Sequence, residues 1–213
     1  MQSESMDTSE AEQPMTGALA HEYHALKYEN VKDLVKRLWN TGNVGRDGLA
    51  RVVNQINANS RSQDEAENFR NCRGYIEELI YAYRKARRGY PVTLGATHGV
   101  GADVNYLKLG RMRSVQIKYV TSPSKKKVKE NLVLAMRQLG GSGGEMPAPG
   151  SLRKIRVKAH NNNELGNLSA PEQVEQLLPM INNTPHKANV ERIKIVLPRS
   201  VGSEDSFKHT FRS

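Results

Sequence analysis

"GADVNYLKLGRMRSVQIKYV" (residues 101–120) reads as two short strands joined by a tight turn. The second strand alternates. Val115, Ile117 and Tyr119 fall on one face, and Gln116, Lys118 and Val120 fall on the other. A strand with that pattern has one apolar face and one face on which an amide and an ammonium stand side by side, about 7 Å apart along the chain. Asp103 lies at the start of the preceding strand, and a short hairpin can carry its carboxylate toward the same pair. Strand runs are expected at Pro91–Ala96, Ala102–Leu109 and Ser114–Val120, with "GRMR" as the hairpin turn.

Upstream of this hairpin, a long helix is expected from Gln63 to Arg88. Ser62 and Glu65 match a capping box, and Gly89 provides the stop. Its apolar stripe is Phe69, Cys72, Ile76, Leu79, Ile80 and Tyr83. Gly74, in mid-helix, costs about 1 kcal/mol relative to Ala, which points to a backbone or ligand approaching there. Downstream, a helix follows "TSPS" with Val128, Leu132, Ala135, Met136 and Leu139 on one face. "GGSGGEMPAPGS" is a flexible segment. The strands "RKIRVKAH" and "ERIKIVLP" then flank the helix "PEQVEQLLPMINN". From residue 63 the order is α-β-β-β-α-β-α-β. A hairpin combined with crossover helices predicts an α/β fold with a mixed sheet.

The flanks divide the chain into four parts. Residues 1–26 hold five acids and no Lys or Arg, and read as a disordered acidic tail. Residues 27–60 read as a helical hairpin appended to the core, with Trp39 as a packing anchor. Residues 61–200 form the α/β domain, and residues 201–213 a loose C-terminal tail.

Charge narrows the class of partner. The chain carries 32 Lys and Arg against 22 Asp and Glu. Outside the first 26 residues the balance is 32 cations to 17 acids. So basic a body favours a polyanion, above all nucleic acid. Lys125, Lys126, Lys127 and Lys129 crowd the first turn of a helix, the end where the helix dipole disfavours cations. A phosphate held there by lysines and backbone N–H groups would explain them. Arg84, Lys85, Arg87 and Arg88 form a second cluster, and Arg153, Lys154, Arg156 and Lys158 a third. The single cysteine, Cys72, excludes an internal disulfide and fits a buried thiol. No 18-residue apolar run and no secretory leader is evident, so no membrane partner is expected and a reducing, intracellular or cytoplasmic compartment fits best.

Asp103, the Gln116 carbonyl and a backbone carbonyl offer oxygen donors suited to Mg²⁺, with Mn²⁺ as an alternative. Lys118 beside such an ion could hold the attacking water and offset charge on phosphorus. In the long helix Glu77 and Glu78 border the apolar stripe. Glu77 lies nearer to it on a helical wheel and is the favoured acid, with Glu78 as the fallback.

Asp103, the triplet Gln116-Ile117-Lys118, a preceding helix with a Glu and a following helix together resemble the PD-(D/E)xK nuclease superfamily, with QxK in place of (D/E)xK. The resemblance implies a restriction-endonuclease-like α-β-β-β-α-β core over residues 63 to about 160, with the helical hairpin before it and an α-β extension after it. It implies a metal-dependent endonuclease, acting on DNA in preference to RNA. Asp103 and Gln116 would be ligands together with the Ile117 carbonyl, Lys118 would serve the water or the transition state, and Glu77 would assist. Gln is a neutral, weaker ligand than Glu. The alternatives are a non-catalytic nucleic-acid-binding protein of the same fold, or a basic structural or assembly protein; a homodimer is left open. Without a metal site, Gln116 and Lys118 would be ordinary solvated strand residues and Asp103 a turn residue. His98, in the Gly-rich loop before Asp103, is more simply a loop residue than a ligand.

Overall fold

The computed structural model describes residues 14–95, 101–140, 151–160, 163–186, 190–198 and 206–212. His98, the centre of the Gly-rich segment at 141–150 and the first 13 residues lie outside them. The chain is α/β. Among the described residues six α-helices, α1 (Gly17–Ala25), α2 (Glu29–Asn40), α3 (Arg46–Asn59), α4 (Glu65–Ala86), α5 (Lys125–Leu139) and α6 (Ala170–Asn182), flank one sheet. Its strands are β1 (Val92–Leu94), β2 (Val104–Lys108), β3 (Arg111–Val120), β4 (Leu152–Ala159), β5 (Arg192–Pro198) and β6 (Ser206–Arg212). They lie side by side in sequence order. The pairs β1–β2, β2–β3 and β5–β6 are antiparallel, and β3–β4 and β4–β5 are parallel. The sheet is therefore mixed, because the two crossover connections run through α5 and α6 while the other joins double straight back.

Two cores lie on opposite faces of the sheet. Val115 and Ile117 of β3 join a cluster with α1–α4, including Leu19, Val35, Leu38, Val53, Ile56 and Leu79. Val120, one step out of phase, joins a second cluster with α5, α6, β4 and β5, including Leu132, Met136, Ile155, Val157 and Leu177. β3 is thus a shared wall. The alternation read from sequence is real, but both of its faces are covered.

Several boundaries differ from expectation, each for a physical reason. The acidic tail stops short of residue 26. Residues 17–25 form α1, whose Leu19 is fully buried, and Leu26 follows it into the same core. Met15, Leu19, Tyr23 and Leu26 do recur at helical spacing and share this core, a stripe that the acidic composition of the segment overshadows. The hairpin at 27–60 is not appended to the domain, because α2 and α3 supply much of the first core. Gly48 is what lets α3 in: a Cβ there would meet the Leu94 carbonyl oxygen at 2.8 Å. The cap of α4 is Asp64, whose carboxylate accepts from the Ala66 and Glu67 N–H groups. Ser62 instead hydrogen-bonds Glu67.

The hairpin turn is Leu109-Gly110, not "GRMR". Lys108 pairs with Arg111, and both intervening residues have positive φ, 52° and 68°. This is the primed two-residue turn that matches strand twist, so Arg111, Met112 and Arg113 belong to β3. The last residues are not a loose tail, since Ser206–Arg212 pair with β5 along its full length. Among the described residues no helix is long and apolar enough to cross a membrane.

Candidate functional site

β2 ends its pairing at Val104 opposite Val115, while β3 continues to Val120 paired with β4 alone. From Gln116 onward one edge of β3 is therefore free of a neighbouring strand. A cleft of about 260 Å³ wraps this edge. Asp103, Gln116, Ile117 and Lys118 line it from the sheet, Arg51 and Gln55 from α3, Gly74, Tyr75 and Glu78 from α4, and Gln138 from α5.

Asp103 is held at the edge from two sides. Its carbonyl oxygen accepts from the Gly95 N–H at 2.7 Å. Gly95 has to be glycine, because a Cβ there would stand 1.7 Å from the Ala102 carbonyl oxygen. The Asp103 carboxylate accepts from the Ile117 N–H at 2.6 Å. In an extended strand the N–H and C=O of one residue point to the same side, so the Ile117 carbonyl also faces the cleft edge.

Gln116 is 1% exposed. Its side chain hydrogen-bonds Asp103, and its Oε1 is buried without a hydrogen-bond partner among the described residues. Gln116 spends its N–H on the carboxylate and leaves its oxygen buried and unpaired in the wall of the cleft. An orphaned buried acceptor is costly, and a cation is the natural partner for it. Gln138 Oε1, across the cleft on α5, is a second buried acceptor without a partner.

The charges in the cleft form a tight group. Burial raises the Asp103 carboxyl above its usual range, while Lys118, the Ile117 N–H and Gln116 pull it down. Burial pushes Glu78 well above its usual range, Asp103 adds to this, and Lys118 and Arg51 oppose it. Two carboxyl groups that resist ionising and an amide oxygen without a donor make a donor set suited to a hard divalent cation. Among the described residues no three His, Cys, Asp or Glu side chains converge on one point. The fit rests on two carboxylates, the Gln116 oxygen and the Ile117 carbonyl.

Of the residues expected from sequence, Asp103, Gln116, Ile117 and Lys118 come together. Glu77 does not. It is 3% exposed and lies on another flank of α4, paired with Lys158 at 2.7 Å and Arg73 at 3.3 Å. The fallback, Glu78, is the α4 acid in the cleft. Gly74 faces the same opening, with nothing within 4 Å of the place its Cβ would take, so its smallness widens the cleft and admits no second backbone.

The lysines at the start of α5 have a different explanation from the one expected. The Lys125 N–H donates to Glu164 Oε2 at 3.0 Å, and Ser124 Oγ caps Lys126. Glu130 pairs with Lys127 at 2.7 Å and reaches Lys126 at 4.0 Å. An internal carboxylate already occupies the helix terminus where a phosphate was expected. At the C-terminal end of α4, Arg87 lies over the Tyr83 ring, while Arg84 and Arg88 act on Arg156 and Lys85 respectively.

Arg51 was not anticipated. It sits one turn beyond Gly48, and its guanidinium donates to the Leu94 carbonyl at 2.7 Å. Gln138 was not anticipated either. Both come from elements distant in sequence, and neither carries a local pattern. No protein-family model and no curated protein matches this chain.

Proposed function

We propose that this protein is a metal-dependent nuclease that hydrolyses phosphodiester bonds, DNA in preference to RNA. One observation carries the reading: the Asp103 carboxylate, the unpaired Gln116 Oε1, Glu78 and Lys118 share one cleft at the free edge of β3. The order α4-β1-β2-β3-α5-β4 supports a restriction-endonuclease-like core. The observed geometry moves the helix acid of that resemblance from Glu77 to Glu78.

Asp103, Gln116 Oε1 and the Ile117 carbonyl would hold Mg²⁺ or Mn²⁺, with Glu78 as the second carboxylate. The bound ion would supply positive charge to phosphoryl oxygens and a more acidic water. Lys118 orients the attacking water and balances the charge that grows on the phosphate. Arg51 gives a second cation on the α3 wall, and the strand edge leaves the cleft open to a long substrate. The net positive charge, +10 over the whole chain, draws that substrate in.

The test is cleavage of supercoiled DNA, single-stranded DNA and structured RNA in Mg²⁺ or Mn²⁺, with EDTA lanes. Turnover by wild type that is lost in EDTA, in Asp103→Ala and in Lys118→Ala supports the reading. Salt-sensitive binding without turnover would overturn it in favour of a non-catalytic nucleic-acid-binding protein.

A further inference from the structure

Gly74 stands in the middle of α4 with a helical backbone, so it is not there for a left-handed turn. Nor is it there for close packing. Gly48 and Gly95 show what that looks like: a Cβ at either would meet backbone atoms at 2.8 and 1.7 Å. At Gly74, among the described residues, nothing lies within 4 Å of the place a Cβ would take. A helix-interior glycine weakens the helix relative to alanine. Here that loss creates empty space, and the space opens on the cleft.

The walls of the space are of two kinds. On α3, Arg51 and Gln55 stand about one turn apart. Arg51 Nη2 donates to the Leu94 carbonyl at 2.7 Å. That bond occupies one N–H and fixes the planar fork, whose other donors remain for a ligand. The charge of Arg51 acts on Glu78, so the fork stands close to the candidate cation site. The Tyr75 hydroxyl donates to Gln55 Oε1 at 3.5 Å, which leaves the Gln55 amide nitrogen as a donor. The other wall is aromatic. Tyr75 follows Gly74 on α4, and Tyr119 comes from β3, on the strand face of Val115 and Ile117. The Tyr119 ring is braced. Arg73 lies 5.0 Å and Lys158 5.9 Å from its centre, and Glu77 pairs with both cations.

A cationic fork, an amide and two rings beside a cation site match the parts of one nucleotide. The phosphate suits Arg51, which can grip it bidentately. The sugar and base suit the rings and the amide. Size sets a limit. The whole cleft measures about 260 Å³, near the lower end of ligand pockets, roughly 300 Å³. It has room for one nucleotide and none for a base pair, so a base that enters has left its stack.

We propose that the gap over Gly74, walled by Arg51, Gln55, Tyr75 and Tyr119, is a subsite for one unpaired nucleotide, whose phosphate Arg51 holds beside the cation site. The choice of a nucleotide rests on the nuclease reading above. The consequence for the substrate is a preference for single strands over duplex.

The experiment is equilibrium binding of a fluorescent oligothymidylate and of a duplex of equal length in EDTA. Wild type runs beside Gly74→Ala and Gly74→Leu, with a thermal melt of each protein. Gly74→Ala is expected to melt above wild type, because it removes the glycine cost and meets no neighbour. Single-strand binding is expected to fall with side-chain size, by about tenfold or more in Gly74→Leu. Duplex binding, carried by surface charge, is expected to change by less than about twofold. Unchanged single-strand binding in both variants would overturn the subsite, and so would an equal loss for single strand and duplex. If Gly74→Leu does not fold, Gly74→Ala decides: a higher melting temperature with weaker single-strand binding supports the subsite, and a higher melting temperature with unchanged binding overturns it. Because binding is read in EDTA, absent turnover by wild type in Mg²⁺ with the Gly74 effect intact would overturn the nuclease reading alone. Turnover with no Gly74 effect would overturn the subsite alone.

Discussion

Glu77 and Glu78 are consecutive in the chain yet belong to different parts of the molecule. Glu77 closes an ion pair with Lys158 and Arg73, and Glu78 stands in the cleft with Asp103 and Lys118. One residue step turns a helix by about 100°, enough to separate a structural acid from a candidate catalytic one. Glu77→Gln should lower stability by about 2–3 kcal/mol, because it strands two half-buried cations. Glu78→Gln should leave stability equal or higher, since its carboxylate is disfavoured by burial, and should abolish metal-dependent cleavage. Denaturant titration and a cleavage assay on both variants check this. The reverse pattern would return the helix acid to Glu77.

The orphaned Gln116 oxygen makes its own prediction. Gln116→Glu would add a third carboxyl group to a buried cleft whose two acids already resist ionising. In EDTA the variant should melt below wild type. In millimolar Mg²⁺ it should recover, because a ligand that binds only the folded state stabilises it by mass action. Calorimetric titration should show tighter Mg²⁺ binding to the variant. A melting temperature that ignores Mg²⁺ in both proteins would count against a cation at Gln116.

Lys154 gives a pH dependence with a definite sign. Its folded pKa, about 8, lies below the ordinary lysine value. Between those values the unfolded chain binds more protons than the folded one, so this group makes stability rise as pH increases from about 8. The cost is fully present below pH 8. Lys154→Gln should therefore be more stable than wild type at pH 7, and its advantage should shrink toward pH 9.5. Thermal melts of the two proteins at matched pH read the difference directly.

Leu109 occupies the left-handed region at φ 52° and is 90% exposed. Its side chain gains little there, and its backbone is strained. Leu109→Asn should stabilise the protein by up to about 1 kcal/mol. Chemical denaturation is the measurement, and a loss of stability would mean that Leu109 packs against something in solution.

Leu19 tests the helix where a tail was expected. It is fully buried in the first core. Leu19→Ala should cost about 2–4 kcal/mol, whereas the same change in a disordered tail would cost nothing.

What the sequence made legible was whatever repeats over a few residues. The alternation of β3, the stripe of α5 and the order of strands and helices all follow from local periods. The choice between Glu77 and Glu78 went astray because the stripe of α4 was drawn through Phe69 and Tyr83. Phe69 is 36% exposed, while the buried face runs through Asn68, Ala82 and Ala86 instead. That face is set by what packs on the helix, which no local period records. Arg51 enters the cleft because Gly48 admits α3 against Leu94, an event between residues far apart in sequence. The unpaired state of Gln116 Oε1 is likewise a product of assembly.

The shared wall formed by β3 also orders events at the ribosome. Every residue of the first core lies between Leu19 and Ile117, so that half can close while β4, β5 and β6 are still unmade. Until Ala159 has emerged, β3 has no partner on its β4 side. The nascent chain would then present a long unpaired edge built from Val115, Ile117, Tyr119 and Val120, the kind of edge on which strands from other chains add. The charged residues beside and within it, Arg111, Arg113 and Lys118, would repel a second nascent copy during that interval. Their placement would guard synthesis of the protein as well as serve the finished fold.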